Sequence, residues 1–303
     1  MNLIALLIGL IVERFATQLF HLREFHWLNN IIDWSFDQAN RFENWPGSMP
    51  VIILAMILVF PVFLIDFGLS NALLGVPYLF IAIIVLFLSL GPKDIGKDID
   101  DYCIALEAEN EGEIHKIAKA LTEKELSTDP LERIRRVEEA VCVQANNLLF
   151  AVIFWFVLLG PFGAWFYRVI DLIRRRALFN ASYDQIGHGT PDTILESVNK
   201  IHGLLTWIPV RLTAIGYAMA GSFEGALSAW RKMENTTAKT QSEHSEELLA
   251  RVSIGALALQ QDEGESVYER GVRGAIAAND LGFRTLFIWV VVIAVMTLYG
   301  WSV

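Results

Sequence analysis

The chain has 303 residues, 54% of them hydrophobic and 12% aromatic, and a formal net charge of −10. That charge speaks against nucleic-acid binding, which wants a basic stripe. The apolar residues bunch into long runs, so the expected class is an all-α integral membrane protein. Its two cysteines, Cys103 and Cys142, lie in charged stretches and suit a reducing, cytoplasmic setting rather than a disulfide framework.

Met1–Val12 is apolar but too short to span a bilayer alone, since a crossing needs ~20 residues. It lacks a basic leader and a small-residue cleavage site, so it does not read as a signal peptide. Glu13-Arg14 follows at the interface, and 13–47 mixes aromatics with charges, as a helix lying on the membrane surface does. Ser48–Phe67 is a span, with Pro61 near its outer end, and Ser70–Leu90 is expected to be a second. The connector 68–71 has no Lys or Arg, whereas 91–147 has eight. The positive-inside rule therefore places 91–147 in the cytoplasm, as a helical insertion. Within it, Asp129 is an expected N-cap, Pro130 suits the first helical position, and Glu132 has capping-box spacing.

Leu148–Ile170 is the third hydrophobic run, interrupted by Gly160-Pro161-Phe162-Gly163. It can be a kinked span or a re-entrant pair of half-helices. The basic cluster Arg174-Arg175-Arg176 favours re-entry, with 171–202 cytoplasmic. Leu204–Trp230 is apolar yet carries Pro209 and Arg211, and the proline is expected to break the helix. The 231–284 segment is polar and helical, with a tract over Ala250–Gln261, and Thr285–Trp301 is the last span, closed by Tyr299 and Trp301. The fold expected is about four to five membrane-embedded helical segments, two of them broken or re-entrant, with cytoplasmic helices, in one domain over 1–303. A homo-oligomer stays open.

Gly91-Pro92-Lys93-Asp94-Ile95-Gly96-Lys97 has P-loop spacing. It follows a membrane helix where the motif needs a strand, Asp98 replaces the Ser/Thr, and Pro92 removes a backbone donor, so it reads as a helix exit. His21, Glu24 and His26 lack the spacing of a helical metal pair, and the other histidines, among them His202, form no cluster in sequence. Neither a catalytic residue nor a metal ligand is assigned. Gly221-Ser222-Phe223-Glu224-Gly225 has small-xxx-small spacing, a packing signal first and a site signal only through Glu224. Arg211 is the strongest single candidate: a guanidinium clamps carboxylate or phosphate bidentately, and charge within a membrane segment costs at least ~2.5 kcal/mol. The competing reading is snorkelling, or packing against Glu13, Glu224 or Asp171.

Thr206-Trp207-Ile208-Pro209-Val210-Arg211-Leu212 resembles the AmpE family, inner-membrane proteins of Gram-negative bacteria within the CobD/CbiB superfamily. So do Leu10-Ile11-Val12-Glu13-Arg14-Phe15, the run from Leu149 to Trp155, Tyr217 to Gly221, and the tail from Val290 to Gly300. The resemblance implies a multi-pass sensor or signal transducer in β-lactamase induction, linked to recycled muropeptides, with membrane lipids and an anionic cell-wall-derived ligand as partners. It implies ligand-binding roles for Arg211, Trp207, Pro209, Glu13, Arg14, Asn147 and Glu224. ATP is suggested for the family's cytoplasmic loop, with little support from Gly91–Lys97. The superfamily's cobalamin enzymes form amides with ATP; where they carry an Asp-Asp pair ahead of the Trp-Ile-Pro motif this chain has His202-Gly203, and where they have an acidic residue ahead of the middle run it has Asn147. The reading therefore leans away from an enzyme. The alternatives are a CobD-like amide-forming enzyme and a muropeptide transport accessory.

Overall fold

The computed structural model of the chain describes residues 2–15, 25–41, 48–70, 76–91, 95–122, 126–182, 192–235, 240–260 and 262–299. Among them there are helices and no strands. In order they are α1 (Asn2–Phe15), α2 (His26–Arg41), α3 (Ser48–Ser70), α4 (Val76–Ser89), α5 (Ile95–Glu107), α6 (Glu111–Thr122) and α7 (Pro130–Ala145). A π-turn at Asn146–Phe150 leads into α8 (Ala151–Ser182), followed by α9 (Asp192–Ala220), α10 (Phe223–Arg231), α11 (Gln241–Leu257) and α12 (Val267–Leu298).

Among the described residues three helical stretches are long and apolar enough to cross a membrane: Ser48–Gly68, Pro130–Ala181 and Val267–Leu298. Of the second span expected at 70–90, the described part is an apolar helix, α4, and residues 71–75 lie outside the described residues. Helix α3 runs on through Ser70, and α4 has only 14 residues. At 1.5 Å per residue that described part is about 21 Å long, against a ~30 Å hydrocarbon core. Helix α1, also 14 residues, is equally short and does include Glu13-Arg14. The last span is one continuous α12 that begins at Val267, well before the expected Thr285. The helical tract at 250–261 is likewise α11, which starts at Gln241 and ends at Leu257.

The Gly160-Pro161 interruption is real. Gly160 has φ 69°, ψ −158°, a conformation that a side chain would strain, and it breaks α8 into two limbs. A Cβ added at Gly163 would lie 2.4 Å from the carbonyl oxygen of Trp155. In a straight helix residues eight apart are about 12 Å apart along the axis, so the chain folds sharply back. The first limb packs Ala151, Val152 and Phe156 with Leu6 of α1 and Leu86 of α4. The second packs Val169, Ile170 and Ile173 with Val51 and Leu54 of α3 and with Leu28, Ile32 and Phe36 of α2. Those three α2 residues recur every fourth position, which puts them on one face. Trp27 and Trp34 stay exposed on the other, as an interfacial helix should. Arg176 pins α2 through both oxygens of Asp33, and that hydrogen bond is the main cause holding the Asp33 carboxyl below its usual range.

The expected break at Pro209 is not there: α9 passes straight through it. A proline removes one N–H and so frees the carbonyl four residues earlier, here Leu205. The indole N–H of Trp155 takes that carbonyl at 3.1 Å. A second indole, Trp165, donates at 2.9 Å to the carbonyl of Leu58, next to that of Ile57, which Pro61 of α3 frees. Lipid offers no water to an open carbonyl, so neighbouring side chains must supply the donor.

The chain breaks instead at Gly221-Ser222. Ser222 caps α10, and its backbone N–H reaches Ala256 of α11 at 2.7 Å. The small-xxx-small spacing does pack helices: a Cβ at Gly221 or Gly225 would lie 2.5 or 2.1 Å from the carbonyl oxygens of Ala256 and Gly255. The polar helices α5, α6, α7 and α11 share one core with the first half of α12 and the end of α9. Asp129 caps α7 as expected, accepting from the Leu131 N–H. Glu132 does not complete a capping box, because the Asp129 N–H goes to the Ser127 hydroxyl at 3.2 Å and the Glu132 carboxylate reaches Arg136 at 3.4 Å. The capping box present is Ser266/Glu269 at the start of α12.

Trp155→Phe should leave the Leu205 carbonyl open, at about 1–3 kcal/mol, and lower the apparent Tm by several degrees. In a Pro209→Ala background, where an N–H is restored, the same change should do much less. Equal losses in both backgrounds would refute this account of the proline.

Candidate functional site

A buried polar centre lies where the second limb of α8 meets α9 and the start of α11. Asp171 has no solvent exposure. Its Oδ2 accepts from Arg168 at 2.6 Å and Arg175 at 3.0 Å. Residues 168, 171 and 175 fall at i, i+3 and i+7, so one helical face presents all three. Arg174, 8% exposed, donates to Asn199 of α9 at 3.0 Å and pairs with Glu246 of α11 at 2.8 Å. His202 of α9, also fully buried, puts Nε2 3.8 Å from Asp171 Oδ1. Its Nδ1 sits 3.0 Å from the Ser242 hydroxyl, near the α11 N-terminus. The next residue, Gly203, lets α11 come this close, because a Cβ there would be 2.7 Å from the Ser242 nitrogen.

Asp171 Oδ1, His202 Nε2 and the Tyr167 hydroxyl are among the buried polar atoms here that have no hydrogen-bond partner among the described residues. The rings of Tyr167 and His202 lie 6.0 Å apart. Burying such groups without partners costs free energy. Three guanidinium groups beside two carboxylates make it cationic, and bidentate arginine is suited to carboxylate or phosphate.

The residues expected from sequence do not converge on this centre. Arg211 follows His202 by nine residues on α9, about 13 Å further along and on the opposite face at 100° per residue. It is half-buried among the exposed Leu204, Trp207, Ile208 and Leu212. Its guanidinium lies 4.0 Å from the centre of the Trp207 ring and donates to the Trp207 carbonyl at 2.9 Å. Pro209 faces inward, buried. Asn147 is buried too and accepts from Asn146, whose own Oδ1 accepts from the Thr213 hydroxyl at 2.9 Å. Glu224 is exposed in the first turn of α10. The side chains of Glu13 and Arg14 lie outside the described residues, as do His21 and Glu24. At the P-loop-like stretch, the Gly91 N–H donates to the Leu148 carbonyl at 3.2 Å and a helix, α4, precedes it. That donor is therefore turned away from any phosphate. Among the described residues no three His, Cys, Asp or Glu side chains are grouped to hold a metal.

The sequence model of a family described as "Regulatory signalling modulator protein AmpE" matches residues 1–303. The chain belongs to the AmpE family. It is 28% identical to Protein AmpE of Shigella flexneri over 310 aligned residues, which cover 99% of each chain. It is 26% identical to the cobalamin biosynthesis protein CobD of Stutzerimonas stutzeri (strain A1501) over 151 residues, 49% of this chain and 47% of that one. No solved structure matches. Family membership and membrane-length helices together make this a membrane protein of the regulatory signalling modulator class.

Asp171→Asn should strip the buried arginines of their shared carboxylate. Removing one partner of a buried ion pair costs about 3–5 kcal/mol, so folded, membrane-inserted protein should fall sharply. An unchanged yield and unchanged Tm would show that Asp171 does not hold the centre together.

Proposed function

We propose that this chain is a multi-pass inner-membrane sensor that influences β-lactamase induction by binding an anionic, cell-wall-derived ligand such as a recycled muropeptide. The observation that carries the reading is the buried cationic centre of Arg168, Arg174 and Arg175 around Asp171. Membership of a family of regulatory signalling modulators supports the regulatory role. Where the resemblance implies an Asp-Asp pair in the cobalamin enzymes, this chain has His202-Gly203, and a histidine and a glycine in place of two carboxylates favour an anion over a metal–phosphate complex. Arg211 is the second anion contact. It faces outward on Trp207, where a lipid phosphate or an arriving ligand can reach it from the side.

A second reading is a CobD-like amide-forming enzyme, which the similarity to a cobalamin biosynthesis protein over half the chain favours. It would need acidic groups to hold Mg²⁺ and phosphate, and the chain lacks them at the two positions named above.

The test is β-lactamase induction in a strain whose own copy is deleted, complemented with variants. Arg174→Lys, which keeps a cation beside Glu246 but loses the planar guanidinium, and Arg211→Ala should each weaken the response several-fold while the protein still accumulates in the membrane. Normal induction with both variants, at normal protein levels, would rule out the anion-binding sensor.

A further inference from the structure

A recess lies away from the cationic centre. It is a cleft of about 1250 Å³ between the C-terminal ends of α5 and α11, the α9–α10 joint and the first half of α12. Small-molecule pockets run to about 1,000 Å³. This one has room for roughly two to three turns of a helix ~10 Å across.

Its floor is apolar, formed by Leu106, Ala256, Val272 and Leu281. Its rim is acidic: seven Asp or Glu side chains line the cleft against two arginines. One of those arginines, Arg273, is already held by Glu265 at 2.6 Å and by Asp262 at 3.4 Å. Glu269 is committed to capping α12 through the Ser266 N–H at 2.8 Å. That leaves Glu107, Glu109, Glu263 and Asp280, all exposed and all without an ion pair among the described residues. The C-terminal ends of α5 and α11 open onto the same cleft and add negative partial charge. The helix N-termini that also reach it, those of α10 and α12, each carry a glutamate in their first turn that offsets their positive ends.

An apolar floor inside an acidic rim is the complement of one kind of ligand, a helix with an apolar stripe flanked by Lys or Arg. We infer that this cleft docks a basic amphipathic helical segment of a protein partner. The apolar stripe would lie on Leu106, Val272 and Leu281, and its cations would meet Glu107, Glu109, Glu263 and Asp280. Helix-in-groove recognition of this kind supplies affinity through the floor and specificity through the rim. For a regulatory protein it provides an output surface separate from the ligand centre. The inference does not depend on the identity of that ligand, or on there being one.

The test uses the full chain in phosphatidylcholine nanodiscs and a fluorescein-labelled 18-residue helical peptide of Leu and Lys, followed by anisotropy. Binding should saturate, weaken between 50 and 300 mM salt, and fall about tenfold in the double variant Glu107→Lys/Glu263→Lys. The milder Asp280→Asn should lose less while keeping the wild-type Tm, which separates docking from folding. A peptide with Glu in place of Lys should not bind. Undiminished binding by the charge-reversal variant, or equal binding by empty nanodiscs, would overturn the inference; the latter would mean the peptide reads lipid rather than the cleft.

Discussion

One hydrogen bond governs the arrangement of the membrane layer: the Trp155 indole to the Leu205 carbonyl. Pro209 cannot donate, and in lipid nothing else would satisfy the carbonyl it frees. With the indole in place α9 continues unbroken for 29 residues. Continuity fixes the phase of every side chain on α9. His202 and Asn199 face the second limb of α8, Thr213 faces Asn146, and Arg211 faces outward. The donor can reach because the sharp fold at Gly160 returns the chain, so the two limbs of α8 divide the labour. The first brings Trp155 to α9, and the second brings Asp171 and its arginines.

Buried charge is the second organising constraint. Lone ions in a low-dielectric interior are expensive, and pairs persist only where geometry and extra hydrogen bonds compensate. Here Asp171 is shared by Arg168 and Arg175, and Arg174 is divided between Asn199 and Glu246. The ion pair and hydrogen bonds tie α8 to α9 and α11 in one centre. Helices whose surfaces are otherwise apolar are thereby held in a defined relative position, which packing of Leu, Val and Ile alone specifies less sharply.

Much of the fold can be read along the chain. Hydropathy marks α3 and the end of α12, Asp129-Pro130 marks the start of α7, and Gly160-Pro161 marks the sharp fold, each through local chemistry. Pro209 misleads because its remedy, Trp155, lies 54 residues earlier, and no local rule joins the two. The candidate centre is harder to see for the same reason. Arg174-Arg175-Arg176 reads as a cytoplasmic flank when only charge is counted, yet Arg174 is buried. The helical spacing of Arg168, Asp171 and Arg175 is a usable signal, because three ionisable residues on one face of an apolar helix want a shared reason. His202, alone in its stretch, gains meaning only beside Asp171. Arg211 stands out in sequence as an oddity, and the helical phase of α9 turns it away from the centre.

Helix α11 has one end in each of two places. Ser242 and Glu246, at its start, touch the histidine and arginine of the buried centre, and Ala256 and Leu257, at its end, wall the acidic cleft. Seventeen residues of helix make a rod about 25 Å long, free of proline and approached closely by Gly203 at its start and by Gly221 and Gly225 at its end. Rods do not absorb axial motion. Whatever fixes its start against Arg174 and His202 therefore also fixes where Ala256 and Leu257 stand in the wall of the cleft.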